Sequence, residues 1–179
     1  MCRKCNIEKR VEEMKKDPNF SSTKECRVEP ADAETALRYL QALIGQPFQH
    51  GHKFDDCELF MLRFGEIEDP TRMVCRLNIH VLSEIKVISH KEKLIYHYDS
   101  WTSYDCFREN IKPLIGLCVK NVRIMKNNRL RLNLGDYFID VMPGEEGDEC
   151  WRFFDRYDAK NPHLVVSNNE IELVYLTLA

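Results

Sequence analysis

The chain has 179 residues and a mass of 21.2 kDa, with 44% hydrophobic and 31% charged residues and a formal net charge of −3. That length suits one domain with at most a short appendage, and the slight negative charge gives no general attraction to nucleic acid or to an anionic membrane. The longest apolar runs are only a few residues, too short for a helix that spans a bilayer, and Met-Cys-Arg-Lys-Cys at the start lacks the apolar core of a secretory signal.

Eight cysteines are present, but a chain of this size needs no disulfide framework. Most of Cys57, Cys75, Cys106, Cys118 and Cys150 sit in or beside apolar stretches, and they are expected to be buried thiols in a reducing cytoplasm. Residues 1–28 differ in composition. Eight Lys and Arg stand against five acids there, a net +3 that leaves −6 for the remainder. The segment opens Cys2-x-x-Cys5, passes through the charged Glu8 to Met14 stretch, and ends Thr23-Lys24-Glu25-Cys26. This pattern resembles the small zinc ribbons of phage and bacterial proteins. The resemblance implies a zinc site on Cys2, Cys5 and Cys26, with Thr23 where the ribbons carry a fourth cysteine. Structural zinc favours a closed tetrahedral shell, so the expectation is a weakened site or a basic tail without metal.

Val28 to Pro30 reads as a linker. Asp32 is placed to cap a helix through Ala36, Leu37, Leu40, Leu43 and Ile44, closed by Gly45. His50-Gly51-His52 with Asp55, Asp56 and Cys57 reads as a polar loop whose spacing matches no metal framework. Strands are expected over Cys57–Phe64, Met73–Ile79, Glu84–Ser89 and Leu94–Tyr98, separated by turn residues. A second short helix is expected over Trp101–Ile111, limited by Pro113.

Leu114-Ile115-Gly116 then repeats Leu43-Ile44-Gly45 at an offset of 71 (114 − 43), and Gly135 follows Gly65 at an offset of 70 (135 − 65). Both stretches read helix, Leu-Ile-Gly, strands, a glycine turn and more strands. The second is the clearer. Strand Leu117–Met125 turns at Asn127-Asn128 into Arg129 to Val141, where Leu130, Leu132 and Leu134 alternate with Arg129, Arg131 and Asn133 before a Gly135-Asp136 turn. An acidic loop over Gly144 to Glu149, a strand Cys150–Phe154 and a hairpin from Pro162 through Ser167-Asn168-Asn169 to Leu176 close the chain. Short turns favour antiparallel pairing. The expected architecture is α+β and β-rich. It consists of two degenerate repeats, about 31–99 and 100–179, each a helix plus an antiparallel meander, related by a pseudo-two-fold and preceded by residues 1–28.

Gly135-Asp136-Tyr137-x-x-Asp140-Val141-x-Pro143, Trp151-Arg152-Phe153-Phe154 and Pro162-His163-Leu164-Val165-Val166 together resemble a group of small bacterial proteins of unknown function. The resemblance covers the last third of the chain and implies a shared fold, without an activity.

Trp151, Arg152 and His163 are the candidate binding residues, because Trp and Arg are enriched at binding hot spots. The same residues suit a structural role, with Arg152 bonded to Asp140 or Asp155. The acids of the 145–149 loop lack the fixed spacing of an EF-hand. The chain contains no G-x-S-x-G elbow, no P-loop and no G-x-G-x-x-G turn. The functional expectation is therefore a cytoplasmic, non-enzymatic protein-interaction module of the immunity or accessory type. It would need no cofactor unless zinc binds at the N-terminus, and no membrane. The alternative is a zinc-dependent nucleic-acid-associated protein that acts through residues 1–28.

Overall fold

The computed structural model describes residues 23–54, 58–71, 74–144, 148–156 and 162–178. Among these are two short helices and twelve strands in two antiparallel sheets, an α+β, β-rich fold. In chain order the elements are β1 (Thr23–Ala31), α1 (Ala33–Leu40), β2 (Phe48–Lys53), β3 (Phe60–Asp69), β4 (Val74–Val81), β5 (Ile85–Ser89), β6 (Leu94–Tyr98), α2 (Tyr104–Ile111), β7 (Asn121–Ile124), β8 (Leu130–Asn133), β9 (Tyr137–Val141), β10 (Glu149–Asp155), β11 (His163–Ser167) and β12 (Ile171–Leu178). No helix among the described residues is long and apolar enough to cross a membrane.

Both helices start where a side chain takes over an orphaned backbone donor. Asp32 Oδ1 accepts from Thr35 N at 2.7 Å, and Ser103 Oγ accepts from Cys106 N at 3.3 Å. Each helix buries two residues four apart, Ala36 with Leu40 and Phe107 with Ile111, so each lays one stripe on the core. Each continues into a 3₁₀ turn, Gln41–Leu43 or Lys112–Leu114, and ends at a glycine in the left-handed region, Gly45 (φ 83) or Gly116 (φ 85). The second helix begins at Tyr104 rather than Trp101, because Asp99 and Thr102 fold the preceding residues into a turn.

The seven-stranded sheet runs β1-β12-β11-β10-β4-β3-β2, and the five-stranded sheet runs β6-β5-β9-β8-β7. Neither follows chain order. After β4 the chain leaves the larger sheet and sends the β5–β6 hairpin to the smaller one; after β9 it returns with β10 and β11. The β5–β6 hairpin therefore lies against β9, and the β10–β11 hairpin against β4. A single cluster of buried side chains draws on both sheets and both helices, with Phe60, Leu62, Ile79, Trp151 and Phe153 from the larger sheet and Val87, Leu130, Leu132 and Ile139 from the smaller. The alternation expected for Arg129 to Leu134 holds: Leu130, Leu132 and Leu134 are buried, and Arg129, Arg131 and Asn133 are less so.

The ends of the helix turns meet. Gly45 N donates to Val119 O at 2.8 Å, and Gly116 N donates to Phe48 O at 2.7 Å. Phe48 N donates to Leu117 O and Val119 N to Gln46 O, each at 2.9 Å, around the single bridge Pro47↔Cys118. At the crossovers, Leu82 N donates to Cys150 O at 2.9 Å and Met142 N to Glu84 O at 2.8 Å.

Three expectations are corrected. Val28 to Pro30 is no linker: it lies within β1, antiparallel to β12, where Pro30 is tolerated because β1 is an edge strand. His50-Gly51-His52 is no loop: it is the middle of β2, where Gly51 leaves room for Ile111 Cδ1 of α2, which a Cβ would push aside. Cys75 and Cys150 are buried thiols as expected, but Cys118 is half-buried and Cys106 exposed, since its place on α2 faces away from the core. Cys57 lies outside the described residues.

Candidate functional site

Trp151, Arg152 and His163 divide between two faces of the larger sheet. Trp151 is fully buried, and its indole Nε1 donates at 3.0 Å to Asn128 O in the β7–β8 turn. That turn is built on Asn127 and Asn128, both at positive φ, and Asn128 Nδ2 also donates to Ser167 O at 3.0 Å. Trp151 thus joins the two sheets through its polar edge, and its side chain is part of the core.

Arg152 points to the opposite face, as strand alternation requires. Its carboxylate partner is neither Asp140 nor Asp155. It donates from Nε and Nη2 to Glu149 at 3.0 and 2.7 Å, while Asp140 takes Arg131 and Asp155 takes Arg76. His163 shares the face of Arg152 by way of Phe154, whose ring stacks on the imidazole at 4.8 Å and 16°. His80, opposite Arg152 on β4, meets the same phenyl ring edge-on at 4.8 Å. His80 Nε2 and His163 Nδ1 are both buried without a hydrogen-bond partner. Burial first, and then the nearby Arg152, pushes both imidazoles down to about 4, so both are neutral at neutral pH. Two of the three candidate residues are thus brought together, as part of an Arg-imidazole-phenyl layer.

The metal candidates are placed less fully. Cys2 and Cys5 lie outside the described residues, and Cys26 belongs to β1, where its backbone pairs with Leu176. Among the described residues no three of His, Cys, Asp and Glu stand close enough together to share a metal ion.

A groove lies where the chain crosses between the sheets. It encloses about 510 Å³ and is lined by the crossover residues Leu82, Ser83, Met142, Pro143 and Gly144 and by the carboxylates of Glu58, Glu84, Asp99, Asp148 and Glu149, with no lysine or arginine among its described lining. Ser83 Oγ donates to Met142 O at 2.6 Å and ties one crossover to the other. Beyond Asp99 and Ser100 on the rim comes Trp101, 86% exposed, the most exposed of the large hydrophobic residues described. Its position is fixed by the turn beneath it: Asp99 Oδ1 accepts from Trp101 N at 3.0 Å, and Thr102 Oγ1 accepts from Asp99 N at 3.0 Å. Leu82, also in the groove, is 44% exposed.

No family model, no curated protein and no solved structure matches this chain.

Neither Trp101 nor the groove was legible in advance, because the apolar spacing of Trp101, Tyr104 and Phe107 mimics one helix face. The run Asp99-Ser100-Trp101-Thr102-Ser103 does contain a signal for it. Asp, Ser and Thr that bond their own backbone mark a turn followed by a cap, which places Trp101 ahead of the helix.

Proposed function

We propose that the chain is a non-enzymatic protein-interaction module, of the immunity or accessory kind, that receives a basic partner protein in the acidic groove at the sheet crossovers. One observation carries this: Trp101, 86% exposed, follows directly on Asp99 and Ser100, which line a groove that carries five carboxylates. A large exposed aromatic next in sequence to an acidic groove that holds a half-exposed leucine has the composition of a binding hot spot, where the ring supplies affinity and the charges supply steering and partner choice. Glu149 already holds Arg152 and Glu84 lies 2.9 Å from His97, so the groove remains acidic but partly paired; it favours cationic residues whose stems meet Leu82, Met142 and Pro143 in its lining.

Capture from native lysate on the immobilised chain tests this. Wild type retains a stoichiometric basic protein, Trp101→Ala weakens the isolated complex by about 30-fold or more, and Glu84→Lys with Asp148→Lys slows association and removes its salt dependence. A partner held equally well by Trp101→Ala, or no stoichiometric partner at all, defeats the proposal.

We also infer that the body is a duplicated unit with exchanged hairpins. Supporting this, the two helices start 71 positions apart (104 − 33), the left-handed glycines at their ends share that spacing (116 − 45), and the hydrogen bonds between Gly45, Phe48, Gly116 and Val119 are reciprocal under it. The groove then lies at the point where the two copies trade strands.

A further inference from the structure

The outer face of the smaller sheet holds a second constellation, apart from the crossover groove. Arg131 on β8 lies directly opposite Asp140 on β9, and the two form a bidentate pair, Nε to Oδ1 at 2.7 Å and Nη2 to Oδ2 at 2.8 Å. Asp140 is only 1% exposed, so this pair is built into the sheet rather than added to its surface. The same guanidinium reaches Glu92 with Nη1 at 2.9 Å and Nη2 at 3.3 Å, and it lies 4.8 Å over the Phe138 ring. Glu92 sits in the β5–β6 turn with φ 56, a left-handed conformation that disfavours a side chain, and it delivers its carboxylate across the sheet from there. These contacts occupy four of the five Arg131 N–H groups and leave one on Nη1.

The neighbours of Arg131 are donors without matching acceptors. Arg123 faces it across the β7–β8 pair, is exposed, and has no ion-pair partner among the described residues. Asn121 and Asn133 face one another across the same pair of strands. Asn121 Oδ1 accepts from Val122 N and Asn133 Oδ1 from Gly135 N, each at 2.8 Å. Those bonds fix the amide orientations, because each oxygen must meet a backbone N–H, and so both Nδ2 groups remain to donate elsewhere. Arg123, Arg131, Asn121, Asn133, Glu92 and Phe138 together line a cavity of about 170 Å³. That is below the roughly 300–1,000 Å³ of sites for drug-sized ligands, and it suits a small ion or the end group of a larger molecule.

We propose that this cavity is an oxyanion-binding site, taking a phosphate or carboxylate group on the converging N–H donors of Arg123, Asn121, Asn133 and the remaining Nη1 of Arg131. The Arg131–Asp140 pair holds the platform rigid, Phe138 forms the floor beneath it, and Arg123 supplies the uncommitted charge. Glu92 opposes the ligand. Its carboxylate belongs to the cavity wall and repels an incoming anion while competing for Arg131.

This arrangement predicts opposite effects for two variants that leave the Arg131–Asp140 pair intact. Isothermal titration of the full chain with inorganic phosphate, in chloride-balanced buffer, should show saturable binding with a Kd on the order of 1 mM. Arg123→Gln should weaken it by about tenfold, and Glu92→Gln should tighten it severalfold. Separate titrations with acetate and citrate distinguish the ligand: stronger binding of phosphate assigns a phosphoryl group, and stronger binding of citrate assigns a carboxylate. Amide proton shifts confined to Asn121, Asn133 and their neighbours at saturating probe locate the site independently of the variants. Absence of saturable binding by any of the three probes overturns the proposal, as does binding that Arg123→Gln leaves unchanged or Glu92→Gln weakens.

Discussion

His80 and His163 show how a single ring can set the behaviour of two titratable groups. Phe154 stands between them, stacked on His163 and edge-on to His80, so neither buried nitrogen finds a partner. Their folded values near 4 lie below the ordinary 6.5 of a free imidazole. In the interval between those values the unfolded chain binds more protons than the folded one, so stability is complete above about pH 6.5 and falls as the pH drops toward 4. The urea midpoint of the wild type should therefore decrease between about pH 7 and about pH 5. A His80→Leu, His163→Leu double variant should lose less over the same interval; an equal loss would mean that other groups set the acid sensitivity. Arg152 with Glu149 and Arg76 with Asp155 are pairings that no spacing in the sequence announces, since the first spans three residues and the second 79.

At the scale of the element, the contact between α2 and β2 depends on a missing side chain. A Cβ at position 51 would lie 2.4 Å from Ile111 Cδ1 and 3.0 Å from Phe107 Cε1, the two residues that α2 buries. Gly51→Ala should destabilise the chain by about 1–3 kcal/mol, as overpacking does. The nearest atom is the end of a flexible chain, so Ile111→Val should restore part of the loss in that background, although alone it costs about 0.5–1.5 kcal/mol. Chemical denaturation of the four proteins measures this coupling, and strictly additive effects would show that the helix moves as a whole instead. The glycine gave no such signal in the sequence. Flanked by His50 and His52 it resembled a loop, because β2 is polar on one side and the helix that covers its other side comes 53 residues later in the chain (104 − 51). The helices themselves were legible, since Asp32 is a local cap and the buried pairs are four apart, although the cap at Ser103 and the later start it sets at Tyr104 were not.

For the whole molecule, the strand pairings that cross between the two halves of the chain decide what can fold alone. Residues 100–179 contain β10 but not β4, on which it pairs, and β12 but not β1; residues 1–99 contain the β5–β6 hairpin but not β9. The β5–β6 hairpin is then left without a third strand, which is marginal in water, and the β10-β11-β12 ribbon of the other half loses its neighbour on both edges. Each half expressed separately should lack a cooperative thermal transition, and the two mixed should regain the native circular dichroism and migrate as a one-to-one complex. A half that melts cooperatively by itself would show that its own strands make a sufficient sheet.

The sequence by itself determined the local terms: an α+β chain, the helix caps, the left-handed turns at Gly45, Gly116 and Asn127-Asn128, and the alternation that buries Leu130, Leu132 and Leu134. Each of these follows from the chemistry of a few neighbouring residues. Tertiary structure decided which sheet each hairpin joins, that Trp151 is core while Trp101 is surface, and that Arg131 belongs to Asp140 and Glu92. Those outcomes depend on partners far apart in the chain. The two tryptophans differ in burial because β10 carries Trp151 into the core while the turn before α2 leaves Trp101 in solvent.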